Sequence, residues 1–292
     1  MATLDLAARP SGRPRRALVA SPGAWITWAL VAFFFVNLLA VIATVVIDSL
    51  GKQWFATWLP QGFTLHWYSD AWREFRLGSV LWVTFEVALL VLVISIVAGV
   101  PAAYAMARRN FPGKRLVLLL FLLPVLLPPI TYGIPLATVL YKFHLAGTLT
   151  GVVLANVVPT LPFVVLTMTP FIEQIDPRIE AAARMCGART VSVMLRVLTP
   201  LLLPGVLAAG ILTLVRTVGM FELTFLTSGD STPTLVVALY YSVFSAGIRA
   251  QQSVDAMAVI YTLFMLVLLV IALRFINPTQ LVTRVQDERG RT

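Results

Sequence analysis

The chain has 292 residues, 59% of them hydrophobic, a mean hydropathy of +0.89 and a formal charge of +9. It is far more apolar than a soluble domain, so the membrane class comes first, and basic residues set between apolar runs speak for membrane topology rather than nucleic-acid binding. The single cysteine, Cys186, excludes an intramolecular disulfide, and the two histidines, His66 and His144, lie too far apart in sequence to suggest a metal site.

The N-terminal segment 1–23 is polar, basic and rich in Pro and Gly over Met1–Ser21, and reads as disordered. The apolar run Ala24–Ile47 is longer than a signal-peptide core of about 7–15 residues and lacks a small-residue cleavage site, so it reads as a retained membrane helix. A crossing needs about 20 apolar residues. Six segments qualify: Ala24–Ile47, Val80–Met106, Leu116–Tyr141, Thr150–Ile172, Leu203–Leu226 and Val254–Phe275. The third carries Pro124, Pro128, Pro129 and Pro135, and the fourth Pro159, Pro162 and Pro170. Each proline removes a backbone donor, so both helices are expected to kink, for packing or to line a pathway. The expected class is an all-α integral membrane protein. It divides into the N-terminal segment, a first helix with an amphipathic outer loop (24–79), a core of five helices (80–275) and a tail (276–292). That outer connection, Gly51–Gly78, holds Trp54, Trp58, Trp67, Tyr68 and Trp72 and reads as an interfacial anchor or as a platform for an external partner.

Lys and Arg set the orientation. Sixteen (Arg9, Arg13, Arg15, Arg16, Arg108, Arg109, Lys114, Arg115, Arg178, Arg184, Arg189, Arg196, Arg274, Arg284, Arg289 and Arg291) fall on one side of the six-span arrangement. Five (Lys52, Arg73, Arg76, Lys142 and Arg249) fall on the other. The bias puts both termini in the cytoplasm, together with the connection between the fourth and fifth spans.

That connection, Asp176–Pro204, reads DPRIEAAARMCGARTVSVMLRVLTPLLLP. Asp176 can cap a helix that starts on Pro177 and runs through Glu180, Ala181 and Ala182. Gly187 then sits where a left-handed turn is wanted, and a side chain there is expected to clash. Thr190 can cap a second short helix ending before Pro200. Glu180 and Arg184, four apart, can pair on one face. The alanines leave the first helix thin enough to enter a groove. An unpartnered amphipathic connector would share several of these features, but Glu-Ala-Ala with Gly187-Ala188 at this spacing, two prolines downstream and six spans around it form a stronger pattern.

The pattern resembles the EAA loop of type I ABC importer permeases, and the resemblance extends from Val80 to the C-terminus. Within that superfamily the chain is most similar to the spermidine/putrescine-type permeases, through FTLHWYSDAW, LPVLLPPITYGIPLATVLY and VVPTLPFVVLTMTPFIEQIDP. FELTFLTSG (Phe221–Gly229) is instead similar to sugar permeases, although the Asp that many of those place before Gly-Ala is replaced by Cys186. The acidic residue that polyamine permeases tend to carry just before the aromatic is also missing: Gly219 and Met220 precede Phe221, and Glu222 follows it. The resemblance implies a six-helix permease in the bacterial inner membrane, moving a polyamine-like solute or, alternatively, a carbohydrate. It implies a second permease subunit, most simply a paralogue, an extracytoplasmic substrate-binding protein and surrounding lipid. It also implies two ATPase subunits that carry ATP and Mg2+, with the EAA residues Asp176, Glu180, Ala181, Ala182, Arg184, Gly187 and Ala188 transmitting their motion. The chain itself has no G-x-x-x-x-G-K-[ST] phosphate loop and is expected to bind no cofactor.

Glu86, Arg216 and Glu222 fall inside expected spans, where a charge costs about 2.5–3.5 kcal/mol on insertion scales. Arg216 and Glu222, six apart, lie on different faces of a helix. The three either pair structurally, Arg216 with Glu86 or with an acid of the partner subunit, or line a translocation pathway. Asp255 and Arg249 read as solvated outer residues. A membrane enzyme would need a catalytic constellation, and neither a His-Glu metal motif nor G-x-S-x-G is present. An ion-coupled secondary transporter, the rival transport class, often shows repeated halves, and no repeat is visible.

Overall fold

The computed structural model describes residues 22–53, 60–244 and 250–275. The basic segment 1–21, Trp54, Trp58, Arg249 and the tail 276–292 lie outside them. Among the described residues the chain is helical, with one isolated bridge between Gly51 and Phe63.

Helix α1 (Pro22–Leu50) presents apolar residues to the surroundings along most of its length, including Trp25, Trp28, Phe33 and Phe34. It leads to the short α2 (His66–Glu74), which folds back on its end. The Trp67 indole donates to the Gly51 carbonyl at 2.8 Å and the Tyr68 hydroxyl meets Ser49 at 2.8 Å. These two aromatics therefore tie α2 to α1, while Trp72 stays exposed as an interfacial residue would.

Helix α3 (Leu77–Arg108) and α6 (Leu149–Glu173) form the central pair. Lipid tails are as apolar as leucine, so helices associate in a membrane through close packing of small residues rather than through apolar burial. Gly99 is such a point: a Cβ there would lie 2.8 Å from Val164. Ala103, Met106, Val164, Val165, Met168 and Ile172 continue the seam and meet Leu198, Leu202 and Ala209. Despite its three prolines, α6 runs as one helix.

The third expected span is broken. Helices α4 (Lys114–Leu126) and α5 (Pro129–Lys142) meet at 100°. Leu127 and Pro128 each precede a proline, which disfavours helical backbone, and both are extended, with ψ of 143° and 132°. Pro124 and Pro135, which keep helical neighbours behind them, leave their helices intact.

The loop helix α7 (Pro177–Met185) is followed by α8 (Thr190–Ser192), a π-helical turn Val193–Leu198 and α9 (Thr199–Val218). The expected separate helix ending before Pro200 is therefore not formed, and the chain runs helically from Thr190 into the membrane span. Pro200 has no N–H and its ring crowds the carbonyl four residues back, which the wider π turn relieves. Thr199 Oγ1 donates to the Met194 carbonyl at 2.8 Å within that turn. The fifth span is shorter than expected at its far end. It stops at Gly219 and is followed by α10 (Glu222–Thr227), and a further apolar helix, α11 (Leu235–Phe244), precedes α12 (Gln251–Phe275). Thr84 on α3 anchors α11 by accepting from the Leu235 amide at 2.8 Å. Asp255 is half-buried against Asp48 of α1 rather than freely solvated. Among the described residues five helices are long and apolar enough to cross a membrane, or six if the bent pair counts as one span.

Candidate functional site

The loop between α6 and α9 is built on two caps. The Asp176 carboxylate accepts from the Arg178 amide at 2.9 Å, with Pro177 opening α7. At the other end the Gly187 amide donates to Arg184 O at 2.9 Å and the Ala188 amide to Ala183 O at 3.1 Å, the pair of bonds that defines a Schellman turn. Gly187 has φ +82°, as its place in the sequence predicts. The expected clash does not exist, because no atom lies within 4 Å of an added Cβ. Ala183 and Ala188, which flank the turn, both pack against the α3–α6 core.

Glu180 points inward and is only 3% exposed. Its Oε2 accepts from Arg184 at 3.3 Å, the pairing that i,i+4 spacing predicts. Two shorter bonds come from α3: Arg108 Nε donates to Oε1 at 2.7 Å and the Tyr104 hydroxyl to Oε2 at 2.7 Å. Arg108 also donates through Nη2 to the Ile175 carbonyl at 2.6 Å, at the end of α6. One guanidinium thus joins the ends of α3 and α6 to the middle of α7. Sequence reasoning counts Arg108 only as a topology charge and passes over Tyr104, because the contacts span 72 and 76 residues. The available signal is local: Tyr104 and Arg108 are four apart, on one face at the end of a membrane helix. The outer surface of the loop is mixed: Arg178, Arg184, Arg189 and Arg196 are exposed beside apolar and small residues. Ala181 and Ala182 are exposed, as are Ile179, Val191 and Leu195, and Met185 is 90% exposed.

The three charges expected inside spans do not form one cluster, and Glu222 lies on α10, beyond the fifth span, which ends at Val218. Glu86, Arg216 and Glu222 are each half-buried, and none has an ion-pair partner within 4.0 Å among the described residues. The pair between Arg216 and Glu86 is therefore not formed within the chain. The Arg216 guanidinium lies instead over the Phe163 ring of α6, 5.2 Å from its centroid. Tyr132 on α5 is within electrostatic reach of both Arg216 and Glu222, and its buried hydroxyl has no hydrogen-bond partner among the described residues. Beside Glu222, the rings of Phe221, Phe225, Tyr240, Tyr241 and Phe244 form a continuous aromatic cluster with centroids 4.4–5.8 Å apart.

Residues 95–279, which include the clamped loop, Arg216 and Glu222, match the family of binding-protein-dependent transport system inner membrane components. The chain belongs to that family. It is thus an inner membrane component of a binding-protein-dependent transport system, and its apolar helices are those of a multi-pass protein. It is 34% identical over 179 residues to the sulfoquinovosyl glycerol transport system permease protein SmoH of Agrobacterium fabrum, covering 61% of this chain and 62% of that one. It is 33% identical over 157 residues to the trehalose transport system permease protein SugB of Mycobacterium tuberculosis, covering 54% and 57%. It is 30% identical to the molybdenum transport system permease protein ModB of Haemophilus influenzae, covering 60% and 83%. The matches to the first two relatives span less than two thirds of their length. Among solved structures, a bacterial ABC transporter involved in the import of the acidic polysaccharide alginate superposes with a TM-score of 0.71 at 15% identity, covering 86% of this chain and 95% of that one. At that identity the likeness establishes the permease fold alone.

Proposed function

We propose that this permease forms a translocation pathway with a second permease subunit and is driven by a separate pair of ATPase subunits that bind ATP and Mg2+. The loop Asp176–Pro204 seats on one of them, and an extracytoplasmic binding protein delivers the solute. The observation that carries this reading is the loop itself. Its outward face exposes Ala181, Ala182 and the 90% exposed Met185 among basic residues, while its inward face is fixed to α3 and α6 through Glu180. An exposed apolar surface on a rigid base suits insertion into a protein groove. The lysine and arginine bias puts this loop and both termini in the cytoplasm, where ATP is available.

The solute is a carbohydrate or a carbohydrate derivative rather than a polyamine. The sugar-type relatives support this, as does the aromatic cluster beside Glu222, whose ring faces suit the C–H faces of sugar rings while the carboxylate can accept from their hydroxyls. A second reading, a solute that bears an anionic group, is favoured by Arg216, which has no carboxylate partner among the described residues. The molybdenum-type relatives point the same way.

Calorimetric titration of the cognate binding protein with trehalose, a sulfonated sugar glycoside, sulfate, molybdate and spermidine tests the solute. Binding of either sugar supports the first reading. Selective binding of the sulfonated sugar, with uptake lost in Arg216→Gln, supports the two together. Sulfate or molybdate alone would leave only the second, and spermidine alone would overturn both.

A further inference from the structure

We propose that Arg108 and Tyr104 are positioning residues for energy coupling. In this arrangement Glu180 is an internal strut that fixes α7 to α3 and α6, and not a contact to the ATPase. The proposal rests on the reading that this loop seats on an ATPase subunit, and it assigns the parts of the loop opposite roles.

The Glu180 carboxylate is closed off from any partner. Ionised, it offers about four acceptor positions. Three are filled from within the chain, by Arg108 at 2.7 Å, Tyr104 at 2.7 Å and Arg184 at 3.3 Å. Its side chain is 4% exposed and that of Arg108 is 13% exposed. A buried, charge-assisted network of this kind fixes geometry, and a guanidinium holds two acceptors in one plane as an ammonium cannot. Arg108 uses that property here, with Nε on Glu180 of α7 and Nη2 on the Ile175 carbonyl just beyond the end of α6. Its own backbone is the last turn of α3.

The mechanical consequence follows from what α3 and α6 do elsewhere. They mesh closely enough that Gly99 admits no side chain against Val164. A displacement of α7 is therefore passed to both central helices together. Without the strut, α7 would be held by its two connecting turns and the small contacts of Ala183 and Ala188. The docked helix could then tilt without moving the membrane helices.

The test uses the complete transporter in liposomes, with uptake, ATP hydrolysis and ATPase copurification measured on the same preparations. Glu180→Gln and Arg108→Gln are each expected to lower uptake about tenfold, the scale of one charge-assisted hydrogen bond. The ATPase should still copurify, so the ATP hydrolysed per solute imported rises. Arg108→Lys keeps the charge but not the two-pronged contact, and should fall between wild type and Arg108→Gln. The Glu180→Gln/Arg108→Gln double variant should be no worse than Arg108→Gln alone, because the Glu180 link is already lost in that variant. Tyr104→Phe deletes one hydroxyl, should assemble normally and should raise the ATP cost per solute about twofold. It decides the matter if the arginine variants fail to assemble.

The idea is overturned if Glu180→Gln releases the ATPase while Arg108→Gln and Tyr104→Phe transport normally, since Glu180 would then face the partner. It is equally overturned if Tyr104→Phe leaves the coupling ratio at the wild-type value. Failure of the underlying reading looks different. In that case a thiol placed at Met185, with the strut intact, would not crosslink to the ATPase at all.

Discussion

Gly187 separates two effects that sequence reasoning merges. Its φ of +82° is a conformation in which an L side chain costs about 1 kcal/mol, whatever space surrounds it. The structure leaves that space empty, so the cost is backbone strain alone and not a collision. Gly187→Ala should lower the stability of the detergent-solubilised permease by about 1 kcal/mol in thermal unfolding, with normal membrane insertion. Gly187→Asp should be no worse for stability, because Asp tolerates left-handed backbone better than most residues. If this turn is seated in a groove of the ATPase, Gly187→Asp should nevertheless reduce copurification and uptake far more than it reduces stability. Association in proportion to stability would show that the turn lies outside the docked surface. Glu180 shows the same division. Its i,i+4 partner Arg184 is evident from spacing, whereas its two closer partners come from another helix and are not.

At the scale of elements, the prolines of this chain have three different outcomes. Pro159, Pro162 and Pro170 leave α6 continuous, Pro200 is absorbed by a π turn, and Pro128-Pro129 breaks a span by 100°. Adjacency explains the last case, since each proline constrains the residue before it and here two consecutive residues are driven out of the helical region. Replacing both by alanine in the Pro128→Ala/Pro129→Ala variant should straighten α4–α5. At a rise of 1.5 Å per residue, spin labels at Leu118 and Val139 should then move apart by roughly 10 Å. An unchanged distance would mean that neighbouring helices, not the prolines, impose the bend. Apolar windows identify the spans but do not distinguish a straight helix from a folded-back pair, because both bury similar side chains. The break after Val218 and the separate helix α11 escape the sequence for the same reason.

For the whole molecule, orientation is the property that charge alone addresses. The native Cys186 lies exposed on the loop between α6 and α9, so it serves as its own reporter. In intact cells a membrane-impermeant maleimide should leave Cys186 unmodified and should label a thiol at Gln61 in a Cys186→Ser background. Permeabilisation should then expose Cys186. Labelling of Cys186 in intact cells would reverse the topology and remove the loop from the side where ATP is available.

The sequence by itself was enough for the membrane class, the positions of most of the apolar helices, the caps of α7 and the left-handed turn at Gly187. These depend on composition, on helical period and on interactions within a few residues, all of which a single chain segment carries. Only the tertiary structure decided that Glu180 is held by α3, that Arg216 lies on Phe163 without a carboxylate partner among the described residues, and that α4 and α5 fold apart. Each depends on which helices come side by side. In a membrane that choice is made by the fit of small residues such as Gly99 and by the few polar groups that must find partners, and neither leaves a periodic mark in the sequence.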